Sequence, residues 1–153
     1  MLKSKLFFVV FLSVLISSCS SEKTLTPEQE NQKIEEYISS KKLTITEKTT
    51  SGLRFILTKA NLSGAKLTKG QYVMVNYAGR LLSDKQFDSG VFPFYLEAGG
   101  AVAGFVEGVG KMRVGEKATL IFPSTLGYGS RAQGSDIPAY SPLVFDIEVV
   151  SAK

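Results

Sequence analysis

Three segments, in fixed order, decide the reading of this chain. The first is Val75-Asn76-Tyr77-Ala78-Gly79, followed shortly by Phe87-Asp88-Ser89. The second is Gly104-Phe105-Val106-Glu107-Gly108, leading into Gly115-Glu116-Lys117-Ala118. The third is Leu126-Gly127-Tyr128-Gly129, then Ile137-Pro138-Ala139 and Leu143-Val144-Phe145-Asp146-Ile147-Glu148. Val73, Val75 and Tyr77 alternate with Met74, Asn76 and Ala78, which predicts a strand with two distinct faces. Leu143, Phe145, Ile147 and Val149 alternate in the same way at the other end of the stretch. The segments place several aromatic rings, one carboxylate and one phenol on a small sheet-rich domain. That inventory suits an apolar ligand held by a few polar handles. It does not suit phosphate, metal or nucleic-acid chemistry.

Working outward, Leu53-Arg54-Phe55-Ile56-Leu57 follows the turn signal Ser51-Gly52 and predicts a strand. Gln86-Phe87-Asp88 continues beyond the turn Ser83-Asp84-Lys85. Phe92 to Leu96 is expected as a further short strand. Ala118 to Phe122 is another, ended by Pro123. Ala101 to Met112 has helical apolar spacing at Val102, Phe105, Val106 and Val109, although Gly104, Gly108 and Gly110 weaken its propensity. Residues 124–142 form a long connection rich in Gly, Ser, Pro and Tyr, a length usually functional or disordered. The fold class is therefore α+β, an antiparallel sheet wrapped around one short helix.

A second helix is expected before the domain. In Thr26-Pro27-Glu28-Gln29 a threonine cap, a proline at the first helical position and a glutamine three residues after the cap make a start signal. Ile34, Tyr37 and Ile38 form one narrow apolar stripe, and Lys41 and Lys42 sit where the helix dipole favours positive charge. The stripe fits packing on the chain's own domain or a spacer above a membrane. A homodimer through this helix is the alternative.

The extreme N-terminus reads as an export signal. Lys3 and Lys5 precede an apolar run from Leu6 to Ile16, then Ser17, Ser18 and Cys19. Roughly 20 apolar residues are needed to span a bilayer, and this run is shorter. Ile16-Ser17-Ser18-Cys19 resembles the bacterial lipobox, with Cys19 as the lipidated residue. The expected organisation is a lipoprotein signal peptide at 1–18, a tether at 19–25, the N-terminal helix at 26–43 and the folded domain at 44–153. Loss of Lys3 and Lys5 lowers the formal charge from +4 to +2, too small to argue for nucleic acid. The chain has no histidine, which excludes Ser-His-Asp and Cys-His catalysis and histidine-ligated zinc. With a single cysteine, no intramolecular disulfide forms.

The ordered segments and their spacing resemble the FKBP-type peptidyl-prolyl cis-trans isomerase family across roughly 52–151. The resemblance implies proline-containing polypeptide clients, macrolide binding and no cofactor. It implies a pocket in which Tyr77, Asp88, Phe105 and Tyr128 act on the prolyl bond, and Phe87, Phe92, Phe94, Val102, Ile137 and Phe145 bind the substrate. Within it, Tyr128 offers its hydroxyl, Val102 offers a backbone N–H, and Asp88 orients Tyr77. The sequence departs from the pattern in three ways. Phe105 stands where the family usually has tryptophan, Ala101 stands where a larger aliphatic is common, and the flap between Ser89 and Phe92 is largely missing. With the lipobox, the resemblance implies a lipid-anchored isomerase of the bacterial cell envelope, facing the periplasm or the surface. A catalytically weak binding module or scaffold of an envelope complex is the alternative.

Overall fold

The structure is a computed structural model that describes residues 25–96 and 99–153. The signal peptide, Cys19 and nearly all of the tether lie outside the described residues. Six antiparallel strands form one sheet in the order β1-β2-β5-β6-β3-β4. They are β1 (Glu47–Lys48), β2 (Arg54–Lys59), β3 (Tyr72–Leu81), β4 (Gln86–Tyr95), β5 (Lys117–Phe122) and β6 (Leu143–Ala152). Two helices accompany them, α1 (Pro27–Ser40) before the sheet and α2 (Ala103–Gly110) between β4 and β5. Among the described residues no helix is long and apolar enough to cross a membrane.

Strand alternation sends each side chain to one of two cores. On one face Phe55, Val73, Val75, Leu120, Phe122, Leu143, Phe145 and Ile147 pack with Phe105 and Val109 of α2. On the other, Ile56, Ile121 and Val144 pack with Ile34, Tyr37 and Ile38 of α1. Each such side chain contributes roughly 1.5–3 kcal/mol on burial. The narrow stripe on α1 is therefore buried against the chain's own sheet.

Thr26 starts α1 as the sequence predicts. Its hydroxyl accepts the Gln29 N–H at 3.3 Å, and its own N–H is donated to Gln29 Oε1 at 2.9 Å. Polar contacts then fix the helix to the domain. Arg54 of β2 is 0% exposed. Its guanidinium donates to Glu35 Oε1 at 2.8 Å, Asn31 Oδ1 at 3.0 Å and the Gly52 carbonyl at 2.6 Å. Tyr37 donates its hydroxyl to Asp84 at 2.9 Å. Arg80, beside it, pairs with Asp146 on β6.

Two elements differ from the sequence expectation. The segments around Phe87 and Phe92 are one continuous strand, β4. Only Gly90 and Val91 separate Ser89 from Phe92, and both stay in register with β3, opposite Tyr77 and Asn76. No excursion fits in that span. Helix α2 is also shorter than Ala101–Met112, because Val102 has extended backbone (φ −66°, ψ 150°) and only caps it.

The glycines of α2 have a packing role that propensity alone does not reveal. A Cβ on Gly104 would lie 2.5 Å from the Phe122 ring, and one on Gly108 would lie 2.3 Å from Leu120 Cδ1. Spaced four apart, they share one helix face. Their bare backbone lets α2 lie directly on β5, and so carries Phe105 into the core on that face of the sheet.

Candidate active site

Strands β3, β4 and β6 and the start of α2 enclose a pocket of about 150 Å³. Among the described residues it is lined by aromatic side chains, by Gly100, Ala101 and Val102, and by one carboxylate, Asp88. Tyr77, Phe87, Phe92, Phe105, Tyr128 and Phe145 supply the rings. Eight of the residues expected at the site thus converge on one cavity. Phe94 and Ile137 do not line it. Both are buried in the core beneath, where Phe94 stacks on Phe92 at 5.2 Å.

Phe105 forms the floor and is 3% exposed. Its ring meets Phe145 at 5.3 Å, Phe94 at 5.7 Å, Phe92 at 6.0 Å and Tyr77 at 6.2 Å, all steeply tilted or edge-on. Such pairs contribute roughly 0.5–1.5 kcal/mol each beyond area burial. Four partners around one ring make a rigid apolar surface.

Gly79 explains why the wall closes so tightly. It sits opposite Asp88 on β4 and Phe145 on β6. A Cβ there would lie 2.6 Å from Phe87 Cε2 and 2.8 Å from Phe145 Cε1. Its absence lets these rings meet at 5.7 Å.

The polar handles lie at the rim. Tyr77 donates its hydroxyl to Asp88 Oδ2 at 2.6 Å. That bond, then burial, pushes the Tyr77 phenol up to about 12, because ionisation would set two anions side by side. Asp88 is exposed, and its other oxygen accepts the Ser89 N–H at 2.9 Å. Among the described residues no hydrogen bond holds the Tyr128 hydroxyl, and no acceptor takes the Val102 N–H. Both are therefore available to a ligand. Among the described residues the site pairs an apolar aromatic floor with two unused donors and offers no activated nucleophile.

Two groups behave otherwise than their sequence context suggests. Glu116 is buried and accepts the backbone N–H of Arg113 at 2.9 Å and of Asn61 at 3.3 Å. Glu30 and Ser124, which nothing in the sequence pattern singles out, meet in the interior through two hydrogen bonds.

Comparison with known proteins agrees with this geometry. Residues 64–150 match the family model described as FKBP-type peptidyl-prolyl cis-trans isomerase. The FK506-binding protein 2 of Dictyostelium discoideum is 40% identical over 90 residues, covering 56% of this chain and 68% of that protein. The FK506-binding protein 2 of Candida glabrata is 42% identical over 108 residues, covering 65% and 79%. Among solved structures, FkpA from Escherichia coli superposes with a TM-score of 0.69 at 30% identity, over 82% of this chain and 60% of that one.

Proposed function

This chain belongs to the FKBP-type peptidyl-prolyl cis-trans isomerase family, and we propose that it accelerates rotation of X–Pro bonds in exported and envelope polypeptides. The observation that carries the reading is the convergence of Tyr77, Asp88, Phe105 and Tyr128 on one aromatic pocket. Rotation about an X–Pro bond breaks amide resonance, with a barrier of about 18–20 kcal/mol. Uncatalysed, it takes tens to hundreds of seconds. No covalent bond changes, so a chain without histidine loses nothing.

The site lowers the barrier by holding the twisted amide better than either planar form. The prolyl ring seats on Phe105, with Phe87, Phe92 and Phe145 around it. The Tyr128 hydroxyl and the Val102 N–H bind the flanking carbonyls. A twisted amide has lost part of its carbonyl dipole, so a dry aromatic wall penalises it less than the planar ground states. Asp88 holds Tyr77 in place and extends the range over which its phenol stays neutral into the alkaline.

The N-terminal sequence supports a lipid anchor. A basic start, an apolar run too short to span, and Ser17-Ser18-Cys19 fit a lipoprotein tethered by Cys19 in a bacterial envelope. Labelling with a fatty-acid analogue tests this, and Cys19→Ser should abolish the label. Burial of Ile34, Tyr37 and Ile38 within the domain supports a helix that covers its own sheet rather than a homodimer contact.

The deciding assay is cis-to-trans exchange of a short Xaa-Pro peptide by NMR, using the chain from Ser20, with and without rapamycin. Catalysis blocked by rapamycin is expected. Catalysis that rapamycin leaves untouched would point to Phe105 and the missing flap as barriers to the macrolide. A second reading, a binding module with little turnover, is favoured by phenylalanine at the floor. It is adopted if the folded chain binds Xaa-Pro peptides without accelerating exchange.

A further inference from the structure

Helix α1 lies outside residues 64–150, the span that the family model matches, yet one of its side chains reaches the frame of the pocket. Glu30 is 2% exposed, a rare place for a carboxylate. Its Oε2 accepts the Ser124 N–H at 2.7 Å, and its Oε1 accepts the Ser124 hydroxyl at 2.7 Å. Ser124 is 1% exposed and opens a 3-10 turn, Ser124–Leu126. The residue before that turn is Pro123, which supplies no side-chain cap. Glu30 supplies the cap from across the molecule, through two short hydrogen bonds.

The carbonyl of Ser124 then accepts two further bonds, from the N–H of Gly127 and of Gly129, each at 2.8 Å. These are the neighbours on either side of Tyr128. Gly129 also adopts φ +58°, and its carbonyl accepts the Tyr140 N–H at 2.7 Å. Since no described residue bonds the Tyr128 hydroxyl, the phenol is placed by this backbone and by packing. The chain of contacts runs from α1 through Glu30, both donors of Ser124 and the Ser124 carbonyl to the two glycines that carry Tyr128.

We propose that Glu30 is a positioning residue for Tyr128, and that the N-terminal helix is thereby part of the isomerase's working structure. The inference rests on the reading of Tyr128 as a group that contacts substrate. Removing the carboxylate leaves the buried Ser124 N–H without an acceptor. The turn then relaxes and the phenol drifts. A displacement of about 1 Å can cost up to about 100-fold in rate, so a loss of about tenfold in kcat/KM is expected for Glu30→Ala.

The test uses the full chain in detergent micelles. Glu30→Ala, Glu30→Gln, Ser124→Ala and Tyr128→Phe are compared in the Xaa-Pro exchange assay. 3-Fluorotyrosine is incorporated, and the Tyr128 signal is assigned by its loss in Tyr128→Phe. Glu30→Ala should lower activity and shift the Tyr128 fluorine resonance, leaving that of Tyr72 unmoved. Glu30→Gln, which keeps an acceptor for the Ser124 N–H, should restore both. In the Tyr128→Phe background, Glu30→Ala should add less than about a twofold loss, since coupled residues are not additive. If Glu30→Ala does not fold, Ser124→Ala removes one of the two bonds and is read the same way, with a smaller loss. An unmoved Tyr128 resonance, or the same loss with and without the phenol, overturns the proposal. If Tyr128→Phe alone leaves the rate unchanged, the reading of Tyr128 fails instead, and the fluorine shift still decides whether Glu30 places the ring.

Discussion

Gly79→Ala tests the claim that the pocket wall is set by one missing methyl group. In an ordinary strand this change stabilises, because glycine is disfavoured there by roughly 0.5–1 kcal/mol relative to alanine. Here the new Cβ would lie 2.6 and 2.7 Å from Phe87 Cε2 and Cζ, and 2.8 Å from Phe145 Cε1. Carbon atoms prefer about 3.5–4.0 Å, so a ring must retreat by about 1 Å. Phe145 cannot, since it stacks on Phe122 at 5.7 Å and abuts Phe105 at 5.3 Å. Phe87 is half-buried on the edge strand and moves instead. Overpacking of this kind costs about 1–3 kcal/mol, which reverses the sign expected from propensity. Urea denaturation should show that loss, with a fall in Tm of roughly 3–5 °C per kcal/mol. The exchange assay should show kcat/KM down by about tenfold as Phe87 shifts at the substrate's edge. Adding Phe87→Leu should recover part of the stability, a coupling of about 1 kcal/mol. An unchanged or raised Tm for Gly79→Ala, with strict additivity to Phe87→Leu, would refute the argument.

Asp88→Asn should bring the Tyr77 phenol down from about 12 toward the ordinary 10, read by ultraviolet titration against wild type. The raised value means that Tyr77 stabilises the fold fully below pH 10 and loses that contribution as pH climbs through about 12, and the variant should lose it earlier. Glu35 is held below its ordinary 4.5 by hydrogen bonds from Arg54, then Lys48, so its contribution is complete above that range and disappears as pH falls through the depressed value. Acid-unfolding curves of Glu35→Gln should therefore approach wild type at the lowest pH and fall below it near neutrality. Gly108→Ala should destabilise by at least 1 kcal/mol, because its Cβ would strike the buried Leu120, whereas Gly110→Ala meets nothing within 4 Å and should gain up to about 1 kcal/mol of helix propensity. Thermal melts in which the two glycines respond alike would show that α2 does not depend on close contact with β5.

What the sequence made legible was local or periodic. The Thr26–Gln29 cap and the inward face of β6 follow from spacing and residue type, while the aromatic set of the pocket was legible only through the resemblance to the FKBP-type family. Burial of both faces of β5 and β6 was not read from the alternation, although Leu120-Ile121-Phe122 and Leu143-Val144-Phe145, where apolar residues do not alternate with polar ones, carry that signal. What stayed hidden depends on distant partners. Arg54 looks like any outward strand residue until Glu35, Asn31 and the Gly52 carbonyl surround it. Glu30 looks like a first-turn acid until Ser124 arrives from the far end of the chain. Gly104 and Gly108 carry opposite meanings in the two views. Propensity counts them as weakness, and packing shows that any larger residue would lift α2 off the sheet.

The uninterrupted β4 raises a further question, because losing a flap leaves a ten-residue strand at the sheet's edge. Long bare edges invite pairing with other chains. This edge is blunted by its own residues. Pro93 has no N–H to offer. The Ser89 N–H is already donated to Asp88. The same carboxylate fixes the Tyr77 hydroxyl, so one side chain both orders the rim of the pocket and removes a donor from the edge beside it. Asp88 thus stays within reach of the prolyl site while exposed to solvent, and its two oxygens are committed to the scaffold. A carboxylate so engaged is poorly suited to move protons and well suited to hold geometry. That is what rotation about an amide bond requires, since the reaction asks the protein for shape and a fixed field, and for no exchange of atoms.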